Sequence, residues 1–283
     1  MRSTRHLPGL LLLAALCAPN AHAAESYDNC TGNITTLPAT ISTQGTWCLK
    51  QDVSTAITSG VAITIATNNV ILDCNDFKIG GLAAGASTTT TGIQALSRVN
   101  AIVRNCSVRG FQIGIQLVGD GHLIEDNRVE QSTAIGISVF GEGNTVRRNR
   151  VVDTGGKPGS SESSGISQGG GSVSITDNII AGLTVTGSGD FGFVYGINLA
   201  SGPADVTRNF VSSLVPFGEG TAKGIWGTST TPSNLHGNTV MNAVTVAGQG
   251  IDGGGNSACR GNTVSHYATP VSNCTVTLDN LNF

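Results

Sequence analysis

Apolar residues recur along this chain at fixed offsets around an asparagine. In Ile124-Glu125-Asp126-Asn127-Arg128-Val129 the apolar positions fall three before and two after Asn127, and Val146-Arg147-Arg148-Asn149-Arg150-Val151 repeats them. The phrase returns around Asn75, Asn178, Asn209, Asn238 and Asn262, with a degenerate copy at Asn280. Between Asn75 and Asn127, Cys106 takes the asparagine position and Asn105 lies one residue early. This nine-fold repeat predicts a solenoid, in which each repeat buries its apolar face only by stacking on its neighbours.

A second column accompanies the first. Gly92-Ile93, Gly114-Ile115, Gly136-Ile137, Gly165-Ile166, Gly196-Ile197, Gly224-Ile225 and Gly250-Ile251 each precede an asparagine phrase. From Ile115 to Asn127 is 12 residues, as it is from Ile137 to Asn149, Ile166 to Asn178 and Ile197 to Asn209. The return distance varies, from 10 residues (Asn127 to Ile137) to 17 (Asn149 to Ile166) and 19 (Asn178 to Ile197). Each turn therefore has a constant part and one insertion point. The apolar columns are dominated by Val, Ile and Leu, and no stretch sustains a 3.6-residue pattern, so the elements are short strands. Stacked rung on rung at about 4.8 Å, they make a parallel coil.

Two physical roles follow for Asn75, Asn127, Asn149, Asn178, Asn209, Asn238 and Asn262. A tight turn needs a residue that tolerates left-handed backbone, which Asn does at low cost. Stacked carboxamides also hydrogen-bond along the coil axis. The asparagine column is thus expected to be structural, not catalytic.

The N-terminus reads differently. Arg2 and Arg5, an apolar run over 10–18 and Ala21-His22-Ala23 form a secretory signal peptide spanning 1–23. That run is too short for a membrane span, which needs roughly 18 or more apolar residues. Its removal lowers Lys and Arg from 15 to 13 against 18 Asp and Glu. An acidic mature chain argues against nucleic acid as a partner. The protein is read as exported, periplasmic or secreted, with no membrane span. Six cysteines follow the signal, which in an exported chain indicates disulfides. Because each coil touches only its neighbours, the expected pairs are Cys30–Cys48, Cys74–Cys106 and Cys259–Cys274. Their spacing matches no zinc site.

On these phrases the chain resembles the right-handed parallel β-helix superfamily, the pectate-lyase-like (pectin lyase-like) fold, and within it the NosD-like short-repeat branch with its PbH1 repeats. The matching repeats run from about Asn68 to Asn280. Residues 45–53 and 63–73 resemble the opening coil of exported members, which caps the hydrophobic end of a solenoid. The expected architecture is all-β: a single right-handed parallel β-helix of about nine coils with an N-terminal cap. The boundaries are 1–23 for the signal peptide, 24–69 for the cap and first coil, and 70–283 for the β-helix.

Chemistry is less legible. Two charged columns stand just before the asparagine: Asp73, Arg104, Glu125 and Arg147 two places before, and Asp126, Arg148, Asp177 and Arg208 one place before. Alternating signs on neighbouring strands suit a solvated ion-pair ladder. The resemblance implies another use. Lyases of this fold neutralise a uronate carboxylate, often with calcium, and abstract a proton with Arg or Lys. Glu125 and Asp126 would then hold Ca²⁺ and Arg147 or Arg148 would act on substrate, although free arginine is a poor base. The Gly-His-Gly and Asp-Pro-His phrases of other catalytic relatives are absent. His122, His236 and His266 read as lone surface histidines, His236 lying in the Arg147 column.

The insertions at 80–91, 154–164, 184–195 and 214–223 leave the coil at one corner and so line one side. They carry Phe191, Phe193, Tyr195 and Phe217, with Trp226 just beyond, in a chain whose aromatics amount to only 5%. Such rings beside Asp190, Glu219 and Lys223 suit a sugar; they also suit packing of the loops onto the coil. The sequence therefore points to an exported solenoid binding a polysaccharide or surface glycan, with a uronate-acting lyase and a purely structural protein as alternatives.

Overall fold

The computed structural model describes residues 29–283 apart from 187–189 and 229–231. The signal peptide expected over 1–23 lies outside the described residues. The chain winds as one right-handed parallel β-solenoid with three faces. A first sheet runs from Gly32–Ile34 through Leu123–Glu125 and Asn144–Arg147 to Asn234–His236. A second sheet, entered just after the asparagine, contains Lys78–Gly80, Ser107–Arg109, Arg128–Glu130, Arg150–Val152 and Ile179–Thr184. A third holds Thr91–Val99, Ile113–Asp120, Ile135–Phe140, Glu162–Gly169, Phe191–Leu199 and Ala222–Gly227. Strands in 32–65 already pair in register with the coil that follows, and the Cys30–Cys48 disulfide ties the residues before Gly32–Ile34 to the strand Gly45–Leu49.

Register puts like on like inside the coil. Ile124, Val146, Ile175, Val206 and Leu235 stack in the first sheet, and Val129, Val151, Ile180, Val211 and Val240 in the second. Ile115, Ile137, Ile166, Ile197 and Ile225 stack in the third, all three columns fully buried. Shape-matched β-branched residues repeated every coil pack without voids. The glycine beside each third-sheet isoleucine is there for space: a Cβ on Gly136 would overlap Val151 Cγ1 and come within 2.6 Å of the Gly165 carbonyl oxygen.

The asparagine corner differs from expectation in one respect. The left-handed residue is the one before the asparagine: φ is 55° at Asp126, 54° at Arg148, 58° at Asp177 and 56° at Arg208, with Gly237 and Gly261 in the same slot. Among the ladder asparagines only Asn75 has positive φ. The asparagine is selected by its carboxamide. Asn149 Oδ1 accepts from Asn127 N–H (3.1 Å) and Nδ2 (2.9 Å), while Asn149 Nδ2 donates to Ile124 O (2.9 Å) and Asn178 Oδ1 (3.0 Å). The same bonds continue through Asn178, Asn209, Asn238 and Asn262 to Asn280. Groups that would be buried unpaired are saturated by the next coil. At the other end Cys106 N–H still donates to Asn127 Oδ1 (3.0 Å), and the Cys74–Cys106 disulfide terminates the ladder. Cys259–Cys274 closes the last coils.

His122 also departs from the sequence reading. It is 1% exposed, at a position that the register of the adjacent Leu123 with Ile102 and Thr145 assigns to Ala101 and Asn144 in the neighbouring coils. Its Nδ1 accepts the Ala101 N–H (3.1 Å), and its own N–H donates to Asn144 Oδ1 (2.8 Å). Burial lowers its pKa, which favours the neutral ring.

Candidate functional site

The sequence singles out two regions, and they lie on different faces. The first is the charged corner between the first and second sheets. Parallel register places Glu125 beside Arg147 on the next rung, and the left-handed residues Asp126 and Arg148 project side by side. Arg147 bonds Glu125 (Nε–Oε2, 2.9 Å), while Arg148 bonds both Asp126 (Nε–Oδ1, 2.8 Å) and Glu125 (Nη2–Oε2, 2.7 Å). Arg104 meets Asp73 at 2.8 Å and Arg208 meets Asp177 at 2.8 Å. The structure thus brings Glu125, Asp126, Arg147 and Arg148 together and engages them with one another.

Those pairings shape what the four residues can do. Hydrogen bonding to Arg148 lowers the pKa of Asp126, and the pairing raises that of Arg148. Both shifts favour the charged forms, the reverse of what proton abstraction by an arginine requires. A Ca²⁺ ion at Glu125 and Asp126 would have to displace Arg148 from both. Among the described residues no three His, Cys, Asp or Glu side chains gather as a metal site.

The second region is the outer face of the third sheet with the loops at its edge. Phe191, Phe193 and Tyr195 alternate along one strand and therefore point the same way, outward. Phe191 and Phe193 lie parallel, with centroids 6.5 Å apart and planes at 8°. Phe191 is 47% exposed and Phe217 45%; Phe217–Gly218 pairs antiparallel with Phe191-Gly192, but Phe217 stands opposite Gly192, so its ring leaves this ribbon on the face opposite to Phe191. Tyr195 is only 5% exposed because Trp226, one coil on, stacks against it at 4.9 Å. The Lys223 ammonium sits 4.2 Å above the Trp226 ring. The five aromatics thus divide: Phe191, Phe193 and Phe217 present surface, whereas Tyr195 and Trp226 pack on each other.

The polar surroundings were less visible in the sequence. Asn198 and Asp252 flank Trp226 in register, and Glu162 is the register partner of Phe193. Burial, then the nearby Glu162 charge, pushes the Tyr195 hydroxyl up to about 12. Burial lowers the pKa of Lys223 while the Asp252 charge opposes it. These partners are one coil, or about 25–31 residues, apart, so only register connects them. A cleft of about 410 Å³ opens beside Phe217, lined by Val215, Pro216, Asn242, Val244 and Val246.

No protein-family model and no curated protein matches the sequence. Solved structures resemble its fold. The Dettilon tailspike protein aligns with a TM-score of 0.53 and 15% identity over 89% of this chain and 51% of its own, so this chain spans about half the tailspike's length. The Streptococcus pneumoniae surface protein and adhesin PfbA aligns over 89% of both chains at 11% identity, with a TM-score of 0.42. The A-module of Azotobacter vinelandii mannuronan C-5 epimerase AlgE6 aligns over 84% of this chain and 80% of its own at 12% identity, with a TM-score of 0.37. At this identity the tailspike match establishes the parallel β-solenoid fold.

Proposed function

We propose that this protein is an exported solenoid that binds a polysaccharide or surface glycan along the loop-lined edge of its third sheet. The observation that carries the reading is the stacked, outward-facing pair Phe191 and Phe193. Flat apolar rings match the apolar face of a sugar ring, and Glu162, Asn198 and Lys223 supply hydrogen-bond partners for hydroxyls around them. Tyr195 and Trp226 back the platform and hold Lys223 in place. Three disulfides agree with an oxidising compartment, and no helix among the described residues is long and apolar enough to cross a membrane.

The test is binding of the purified protein to an immobilised glycan panel, followed by calorimetry on the ligands retained. The Phe191→Ala/Phe193→Ala pair should lose at least about tenfold in affinity, roughly 1.4 kcal/mol, at unchanged thermal midpoint. Undiminished binding by that pair would remove the aromatic edge from the reading. No retained glycan at all would favour a structural role.

The uronate-acting alternative finds its support on the same face. Burial lowers the pKa of Lys223 against the Asp252 charge, which favours the ammonium, and a lysine amine suits proton abstraction better than the paired arginines do. Incubation with pectate, alginate and chondroitin, with and without calcium, tests it: lyase chemistry gives an unsaturated, ultraviolet-absorbing product that Lys223→Met abolishes.

A further inference from the structure

The asparagine corner holds a second feature that the ion-pair ladder does not absorb. A groove of about 400 Å³ runs along it, lined by Asp76, Asp126, Arg128, Arg148, Arg150 and the disulfide-bonded Cys106. Arg128 and Arg150 are register partners on adjacent second-sheet strands, which sets their backbones about 4.8 Å apart. Like charges directly opposite on neighbouring strands are unfavourable, and elsewhere on this corner the chain alternates sign. Arg128 is bound to Glu130 (2.7 Å), and Glu130 also faces Arg109 (3.8 Å). Arg150 is exposed, and while its backbone N–H donates to Asn127 O (2.8 Å), its guanidinium has no ion pair or hydrogen bond among the described residues. Arg109 and Arg128 thus share one carboxylate, Glu130, and the Arg150 guanidinium has none, on a chain that is acidic as a whole.

We propose that the Arg128/Arg150 end of this groove is a binding site for an oxyanion, a carboxylate or a sulfate carried by a small ligand or a larger one. The fork of Arg150 supplies two parallel N–H donors to such a group, and an anion there cancels the repulsion between the stacked arginines. Arg148 is spent on Asp126 and Glu125, so it forms a wall and not a ligand. Asp76 stands three rungs away along the axis, about 14 Å, too far to oppose an anion at Arg150. The site is independent of the aromatic edge, which lies on another face.

The experiment is titration of the folded protein with sodium sulfate and, separately, sodium acetate at constant ionic strength set with chloride, following arginine Nε–Hε resonances. Saturable shifts at Arg128 and Arg150, weakened at least about tenfold by Arg150→Ala and partly restored by Arg150→Lys, are expected; which of the two salts binds tells sulfate from carboxylate chemistry. Arg208→Ala, on a paired arginine outside the groove, should bind as wild type. No saturable shift with either anion, or equal binding by wild type and Arg150→Ala, overturns the proposal.

Discussion

The ladder asparagines and the charged residues beside them look alike in sequence and differ in consequence. Asn178 Oδ1 accepts from Asn149 N–H and Nδ2, and Asn178 Nδ2 donates to Val146 O and Asn209 Oδ1, all out of water. Asn178→Ala strands several of these groups, and we expect a loss of about 3 kcal/mol or more in urea unfolding. Arg208→Ala, removing one member of a solvated pair, should leave the urea midpoint nearly unchanged. His122 gives a pH signature. Its folded pKa is lowered, so its contribution is complete above the unfolded value near 6.5 and is lost as pH falls below it, because the unfolded chain takes up the proton first. The urea midpoint should fall between pH 7 and pH 5, with a shallower fall in His122→Gln; equal slopes would refute the assignment.

Among the elements, the Cys74–Cys106 corner shows two devices doing one task. Cys106 occupies the asparagine slot and keeps its backbone donor on Asn127, while the disulfide replaces the carboxamide contacts. The bridge closes a 32-residue separation, which in the chain-entropy picture is worth about 3–4 kcal/mol. Cys74→Ala/Cys106→Ala should lose roughly that much. Cys74→Ala/Cys106→Asn should recover part of it by extending the ladder one rung, measurable as a higher midpoint than the double alanine. The glycine column is another element-level device: it lets second-sheet valines reach the corner of the third sheet, so its regularity reports packing and not turns.

At the level of the whole molecule, each coil contacts only the coils before and after it, so stability should be close to additive along the axis. Removing residues 128–149, one 22-residue coil from one asparagine slot to the next, should leave a folded β-solenoid. Circular dichroism should keep its form, and scattering should report a particle about 4.8 Å shorter. Loss of cooperative unfolding in that variant would show that the coils are coupled beyond nearest neighbours.

What the sequence by itself determined is whatever repeats. The period fixed the solenoid, the asparagine slot, the single insertion corner and the cysteine pairs, because one coil's environment recurs at the next and leaves the same residue types behind. The left-handed slot escaped the sequence reading because Asp, Arg and Gly all occupy it, and His122 because its phrase has no sister. Tertiary structure alone decided which charges are committed and which are not. Arg148 and Arg150 sit two residues apart in one phrase, yet register gives the first two carboxylates and the second another arginine. It likewise turned five aromatic residues into exposed phenylalanines and a packed Tyr195–Trp226 pair. Contacts between coils depend on lateral register, and lateral register is set by hydrogen bonding between strands that are a full turn of chain apart.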